Sequence, residues 1–515
     1  MSRGAGEAMN CDFVGPTKRM TRRQAGKLLC LFPLFVSASA DAQTSPQGTH
    51  SDLDFDSSDA QLDGAFRWAK IKALSYVFDG DPVGPWYEAA LPGRHAFCMR
   101  DTSHQSDGAQ GLGLSRYNHN MLRRFAENIS ASKDWCSYWE IDRENRPAPI
   151  DYKNDAEFWY NLPANYDLLD TCYRMYLWSG DNSYVEDPVF LNFYDRTIVD
   201  YTARWNLTPD RIMRRTSNIQ EPPFFRGDPT YEESSRDNLV GIDLLATQYA
   251  AFRAYAAIQA IRGNSRSARH ALETGSQIKL LINTVWWNAA QGYFYAFFDK
   301  QHRFTGRAGS DLLYRDAADD GPKTASALLT LLSTIKTEPE DAVEAKSHFA
   351  EILYRYRNPD AAYTQIIDLA RTGRKRREYP EVPYSIVGAI ITGLMGIRVR
   401  PRSPCEDIVA GRQFEPVIET MPQLAEKVGW ATLRNLAVQG GEINVRHEGD
   451  RSTSLTNNGK SELNWNAAFP GTYSEVWVNG KRVDSRVGST YLNHSFTWAE
   501  TTVAPGATVQ AKVQS

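Results

Sequence analysis

Between about Asp59 and Arg398, apolar residues recur at three- and four-residue steps, and this period constrains the fold of the chain more than any other feature. It is clearest from Glu232 to Arg262, where Leu239, Ile242, Leu245, Tyr249, Phe252 and Ala256 form one stripe. Residues 106 to 132 carry another, through Leu112, Leu114, Met121, Leu122, Phe125 and Ile129. A third runs through Tyr166, Leu169, Cys172, Tyr173 and Tyr176 and stops at Gly180. Residues 59 to 79 open with a helix, and others are expected near 266–287, 321–336, 340–357, 359–373 and 382–396. So many successive helices suit hairpins arranged in a closed ring, and their stripes are packing surface rather than chemistry.

Two aromatic stretches interrupt the helical period. Trp135 to Ile141 and Gly292 to Phe298 alternate and end in turn residues, so each is expected to be a strand or hairpin laid across the helices. Beyond Arg398 the texture changes again. Strand patterns appear around 430–447, 462–468, 473–479 and 507–513, with Asn479-Gly480 as a hairpin turn, and the tail is expected to form a small β-sandwich. The expected division is residues 1–42 as a leader, 43–58 as a flexible lead-in, 59–400 as the helical domain and 401–515 as the β-sandwich.

The leader has the order of an export signal: Arg22-Arg23 and Lys27, then the apolar run Leu28 to Val36, then small residues to Ala42. The paired arginines resemble a twin-arginine signal, which implies a bacterial protein exported already folded to the periplasm or beyond. The apolar run is too short to remain as a membrane span. Four cysteines follow the leader, Cys98, Cys136, Cys172 and Cys405, without a CxxC pair. Export permits a disulfide, with Cys98 and Cys136 the pair to test, and burial as thiols is the alternative. Asp319-Asp320-Gly321 lacks the ligand series of a calcium loop, so no metal is expected, and no Gly-rich phosphate loop implies a cofactor. A net charge of -4 argues against a nucleic-acid partner. Thirteen Trp and 25 Tyr, beside many polar residues, suit stacking on sugar rings, although aromatics also fill ordinary cores.

Three elements carry a resemblance to a known superfamily. Tyr176-Leu177-Trp178-Ser179-Gly180-Asp181 looks like the aromatic helix ending in a Thr/Ser-Gly-Asp turn of the six-hairpin, or (α/α)6-barrel, glycosidases. Trp286-Trp287-Asn288, followed by Gly292-Tyr293-Phe294, resembles a second element of that superfamily. Gly393 to Arg398, running into a β-region with Trp430-Ala431 and Val445 to Gly449, is similar to the tail of α-L-rhamnosidase-like members. The resemblance implies a mainly α fold, an (α/α)6 helical-hairpin barrel followed by a C-terminal β-sandwich, and action on a carbohydrate. The acid-rich loop of rhamnosidases is not present as such. Arg100-Asp101 resembles the Leu-Arg-Asp element that holds a terminal sugar's hydroxyls, and Arg94, His95, Arg100 and His104 would suit a sugar carboxylate, as in a β-glucuronidase-like member.

Glycoside hydrolysis needs two carboxyl groups, so candidates are sought in aromatic, polar loops. Glu157 is the chosen acid, because Phe158 and Trp159 beside it would desolvate it and raise its pKa. Capping of the next helix by Asp155 and Glu157 is the alternative. Glu221, in a Pro-rich loop with Arg226, or Glu378 is expected to activate water, with Glu381 a further option or a helix-entry residue. Trp135, Trp139, Glu140, Asp155, Trp159, Tyr160, Arg226 and Tyr384 complete the expected sugar-binding set, with Arg94, His95, Arg100, Asp101 and His104.

The expectation is an exported glycoside hydrolase, inverting, that releases a terminal sugar such as a uronic acid or rhamnose. An unsaturated-uronyl hydrolase and a polysaccharide lyase, with Tyr160, His104 and Arg100 as its machinery, are alternatives on the same fold. A non-catalytic glycan-binding protein is the alternative of another class, and the sequence leaves the oligomeric state open.

Overall fold

The computed structural model describes residues 51–216, 225–232 and 237–514. The leader 1–42, the start of the lead-in and Glu221 lie outside the described residues.

Twelve of the described helices build two rings: α1 (Ala60–Leu74), α2 (Met99–Gly111), α3 (Ser115–Glu127), α4 (Pro163–Ser179), α5 (Pro188–Arg196), α6 (Ile242–Ile261), α7 (Ser265–Thr284), α8 (Ser310–Tyr314), α9 (Pro322–Thr337), α10 (Phe349–Arg355), α11 (Pro359–Ala370) and α12 (Glu381–Gly388). Packed pairs join α2 with α3, α6 with α7, α8 with α9, α10 with α11, and α12 with α1. The even-numbered helices touch in the order α2, α4, α6, α8, α10, α12 and back to α2, closing an inner ring, and the odd-numbered helices pack outside it. This is the expected six-hairpin barrel.

Sequence decides which ring a helix joins. In α6 nearly every side chain from Ile242 to Gln259 is buried, and only Asp243 and Arg253 are charged, as a helix enclosed on all sides requires. In α7 the buried residues Ala268, Ala271, Gly275, Ile278 and Ile282 follow three- and four-residue steps, leaving a polar outer face. Gly180, with φ of 70°, ends α4 where expected. Gly113, with φ of 80°, splits the single helix expected over 106–132 into α2 and α3, because that left-handed backbone breaks a right-handed helix.

The aromatic stretches also differ in detail from expectation. Only Glu140–Asp142 of the first is extended, against Ala96–Cys98, because Asp134 and Trp135 both adopt positive φ and turn the chain. The second forms two short strands, Tyr293–Phe294 and Phe297–Asp299. Cys98 and Cys136 are both buried thiols, not joined by a disulfide.

The tail forms two facing sheets. One comprises β1 (Asp54–Ser57), β4 (Trp430–Val438), β5 (Gly441–Glu448), β6 (Ser452–Asn457), β12 (Thr508–Gln514), β8 (Glu475–Val478) and β9 (Lys481–Val483), in that spatial order. The other has the order β2 (Arg398–Pro401), β3 (Pro416–Thr420), β7 (Leu463–Pro470), β11 (Ser495–Val503) and β10 (Arg486–Ser489). Asn479 and Gly480, both with positive φ, make the expected hairpin between β8 and β9. Leu433, Val445 and Leu455 of one sheet and Trp465, Ala467 and Phe469 of the other are buried in the continuous core. The lead-in is not loose to its end: Asp54–Ser57 is an edge strand, in antiparallel register with Ala431 to Arg434.

Where α2 meets α12, the inner ring has no room for a side chain. A Cβ on Gly108 of α2 would collide with the Tyr384 carbonyl of α12, a backbone group that cannot swing aside. Gly108→Ala is therefore expected to cost about 1–3 kcal/mol or more in chemical denaturation. Gly64→Ala, where nothing lies within 4 Å, is the control and should gain up to about 1 kcal/mol.

Candidate active site at the mouth of the inner ring

The inner helices start at one end of the ring. His104 of α2, Asp167 of α4, Asp243 of α6, Asp311 of α8, His348 just before α10 and Glu381 of α12 all sit in or next to first turns. Six helix N-termini with their positive dipole ends converge there, and such ends favour carboxylates. The convergence opens into a cavity of about 700 Å³, a size that suits a small ligand. Arg100, Tyr231, Phe297 and Tyr314 contribute to its walls, mixing cationic and aromatic surface.

A buried polar network forms the floor. His104 meets Asp167 through Nε2 at 3.2 Å and Glu381 through Nδ1 at 3.2 Å. His348 Nε2 lies 2.9 Å from the same Glu381 oxygen. Arg315 pairs with Asp167 and, at 2.6 Å, with Asp170. The Tyr231 hydroxyl donates to Asp167 at 3.1 Å. Burial alone would deprotonate His104, but Asp167 and then Glu381 outweigh it and push the imidazole up to about 9. Burial also opposes ionisation of Asp167, yet Arg315 and then His104 hold that carboxyl well below the usual range. Glu381 is held low in the same way, against burial, by hydrogen bonds from His104 and His348.

The cavity also presents a different pair of carboxyls, Asp243 and Asp311. Asp243 is 6% exposed and accepts from the Tyr231 backbone N–H at 2.6 Å and the Thr230 hydroxyl at 3.0 Å. Burial, then the negative charge of Asp311, push it up to about 7 despite those hydrogen bonds. Asp311 is shifted upward too, first by the protein around it. Asp311 lines the cavity, where water reaches it. The arrangement supplies a carboxyl, Asp243, that holds its proton far above the ordinary carboxylate range, as acid-assisted bond cleavage requires, in a cavity that presents a second carboxyl, Asp311.

The residues expected from sequence are scattered around this site. Arg100 and His104 line the cavity, and Asp101 is buried behind them, 3.4 Å from the Arg100 guanidinium. Glu157 does not have the environment expected of an acid. It is half-exposed on a short strand, paired with Lys153, and that hydrogen bond lowers rather than raises its pKa, because Phe158 and Trp159 turn into the core. Glu157→Gln is accordingly expected to keep wild-type turnover in a steady-state assay. Glu378 is exposed and bound to Lys72, outside the cavity walls.

Arg94 and Glu140 form their own pair at 2.6 Å, with Asp151 beyond, while the His95 backbone donates to Glu88. Trp135 packs under Arg196, and Arg226 is tied to Asp134 at 3.1 Å. Asp155 accepts from the Tyr152 hydroxyl, and Trp159 donates to Asn161. Tyr160 is buried against Asn165, and Tyr384 donates to the Ala73 carbonyl inside the barrel wall. Trp139 is buried but touches Tyr231 at 6.4 Å between ring centres, one layer behind the cavity.

The sequence reading missed Asp243, Asp311, Asp167 and His348. Asp243 left a signal: it is an acid in the first turn of an otherwise apolar inner helix. Asp167 likewise interrupts the stripe between Tyr166 and Leu169. Asp311 and His348 left none.

A scan against protein-family models finds no match, and a search of curated proteins finds none either. Solved structures do match. The α-L-rhamnosidase from Dictyoglumus thermophilum shares 14% identity at a TM-score of 0.56, over 90% of this chain and 51% of that one. A sialidase structure shares 12% identity at a TM-score of 0.51, over 86% of this chain and 41% of that one. The GH78 family rhamnosidase of Bacillus sp. GL1 shares 10% identity at 0.50, over 79% and 40%. The chain thus spans about half the length, or less, of these structures. These likenesses define the class of fold alone: an (α/α)6 barrel followed by a β-sandwich.

Proposed function

We propose that the protein is an exported glycoside hydrolase that removes a terminal sugar, with Asp243 as general acid and Asp311 as the base that activates water. The observation that carries this reading is the buried Asp243, held protonated to about pH 7 in the wall of a cavity that also presents Asp311. Protonated Asp243 would donate to the leaving oxygen as the bond breaks. Asp311 would take a proton from water attacking the opposite face, which inverts the anomeric centre. Arg100 would hold the sugar's hydroxyls or a uronate carboxylate, and Tyr231, Phe297 and Tyr314 would stack on its ring.

The lyase reading is less well supported. Its base would be a phenol or imidazole, yet burial and Asp167 raise the Tyr231 phenol well above its ordinary value, and His104 is held between two carboxylates.

The reading is tested with oligosaccharides ending in rhamnose, a uronate or an unsaturated uronate, following the released sugar by chromatography and its first-formed anomer by NMR. Release of an inverted sugar from one of them supports the proposal. Binding without release points to a glycan-binding module, a retained anomer removes the inverting mechanism, and an unsaturated product points to a lyase.

A further inference from the structure

We propose that His104, His348 and Glu381 form a binding site for one divalent metal ion of the zinc class, with a coordination position open to the cavity for a sugar oxygen. The residues come from three inner helix starts: α2, the residue before α10, and the first residue of α12. Their ligand atoms all lie within 4.8 Å of one another, and this is the one such group of three among the described residues. Glu381 Oε1 is 2.9 Å from His348 Nε2 and 3.2 Å from His104 Nδ1. Donors around a tetrahedral zinc with bonds of about 2.0–2.1 Å stand about 3.3 Å apart, so small movements would admit the ion.

Two further observations point to a cation. Glu381 is 1% exposed, and its second oxygen, Oε2, is buried without a hydrogen-bond partner. A buried carboxylate oxygen left unpaired is costly, and a metal held by both Glu381 oxygens would satisfy it. His104 is also oriented as a ligand. Its Nε2 faces Asp167 Oδ2 at 3.2 Å, the carboxylate–histidine arrangement that directs the other ring nitrogen to a metal. Asp167 is itself fixed by Arg315 and Tyr231, so the supporting shell is rigid.

Two imidazoles and a carboxylate favour zinc-like ions over calcium or magnesium, which prefer all-oxygen shells. His104 and His348 both line the cavity, which leaves the open side of the ion toward a ligand. Only the identity of that ligand rests on the hydrolase reading.

The test uses the purified full chain, stripped with a chelator and titrated with zinc, with metal content read by mass spectrometry. One equivalent per chain is expected. His348→Ala should weaken binding at least tenfold, and Asp167→Asn by about 10- to 100-fold, with circular dichroism in chelator reporting whether each variant folds. Cobalt titration of the wild type needs no variant and should give the visible absorption of a four-coordinate site. A folded wild type that retains essentially no zinc and shows no cobalt band overturns the site, leaving the cluster as a buried ion pair. A folded His348→Ala that binds zinc as tightly as wild type overturns it as well. Because these readouts use no substrate, their failure leaves the hydrolase proposal standing.

Discussion

Asp243→Asn is expected to lower kcat/KM on the cleaved glycoside by about 10²- to 10⁴-fold, the usual share of a general acid. The wild-type rate should fall as pH rises above about 7, where Asp243 loses its proton, and the residual rate of the variant should lack that fall. Stability carries the same signature with a definite sign. The folded carboxyl holds its proton more tightly than the unfolded one, whose pKa is about 3.9, so Asp243 subtracts stability as pH climbs from about 4 to about 7. Asn, which cannot ionise, removes that slope. Denaturation midpoints across this range, beside the pH–rate profile, separate an acid from a residue that merely shapes the wall, because a shape effect would move neither curve along the pH axis.

The second large effect is structural. Arg315→Met should destabilise the fold by about 3–5 kcal/mol, because it takes the guanidinium from buried Asp167, leaving it His104 and the Tyr231 hydroxyl, and leaves Asp170 with Arg174 alone. Adding Asp167→Asn removes one of the stranded charges, so the double variant should be less destabilised than the sum of the single variants. The cycle, measured by chemical denaturation, reads that coupling directly. Additive losses would mean that the pair does not act as a unit.

The large-scale fold was legible because its causes are local and repeated. Three- and four-residue apolar steps marked the helices, Gly180 marked a helix end, and alternation with Asn479-Gly480 marked the β-domain. Details were lost where one backbone conformation overrode composition. Gly113 splits a helix that reads as continuous, and Asp134 and Trp135 turn where alternation suggests a strand. Asp54–Ser57 reads as lead-in because its partner lies almost 400 residues away in β4.

The site was legible only in part, for a physical reason. Arg100 and His104 stood out as cationic residues suited to a sugar's hydroxyls or carboxylate, and both reach the cavity. The preference for carboxylates flanked by aromatics misled in the case of Glu157, because its neighbours Phe158 and Trp159 point into the core while Glu157 itself pairs with Lys153. Asp243 acquires its raised pKa from burial and from Asp311, which lies 68 residues along the chain. Only closure of the ring brings the six inner helix starts together, and no local pattern records it.

The most direct test of the central claim, hydrolysis by carboxyls at the ring mouth, is product analysis in water enriched in the heavy oxygen isotope, with wild type beside Asp243→Asn. Hydrolysis predicts a released sugar that carries the heavy oxygen at its anomeric carbon, formed far more slowly by the variant. An unsaturated product without the label, or equal release by the two proteins, would contradict the account.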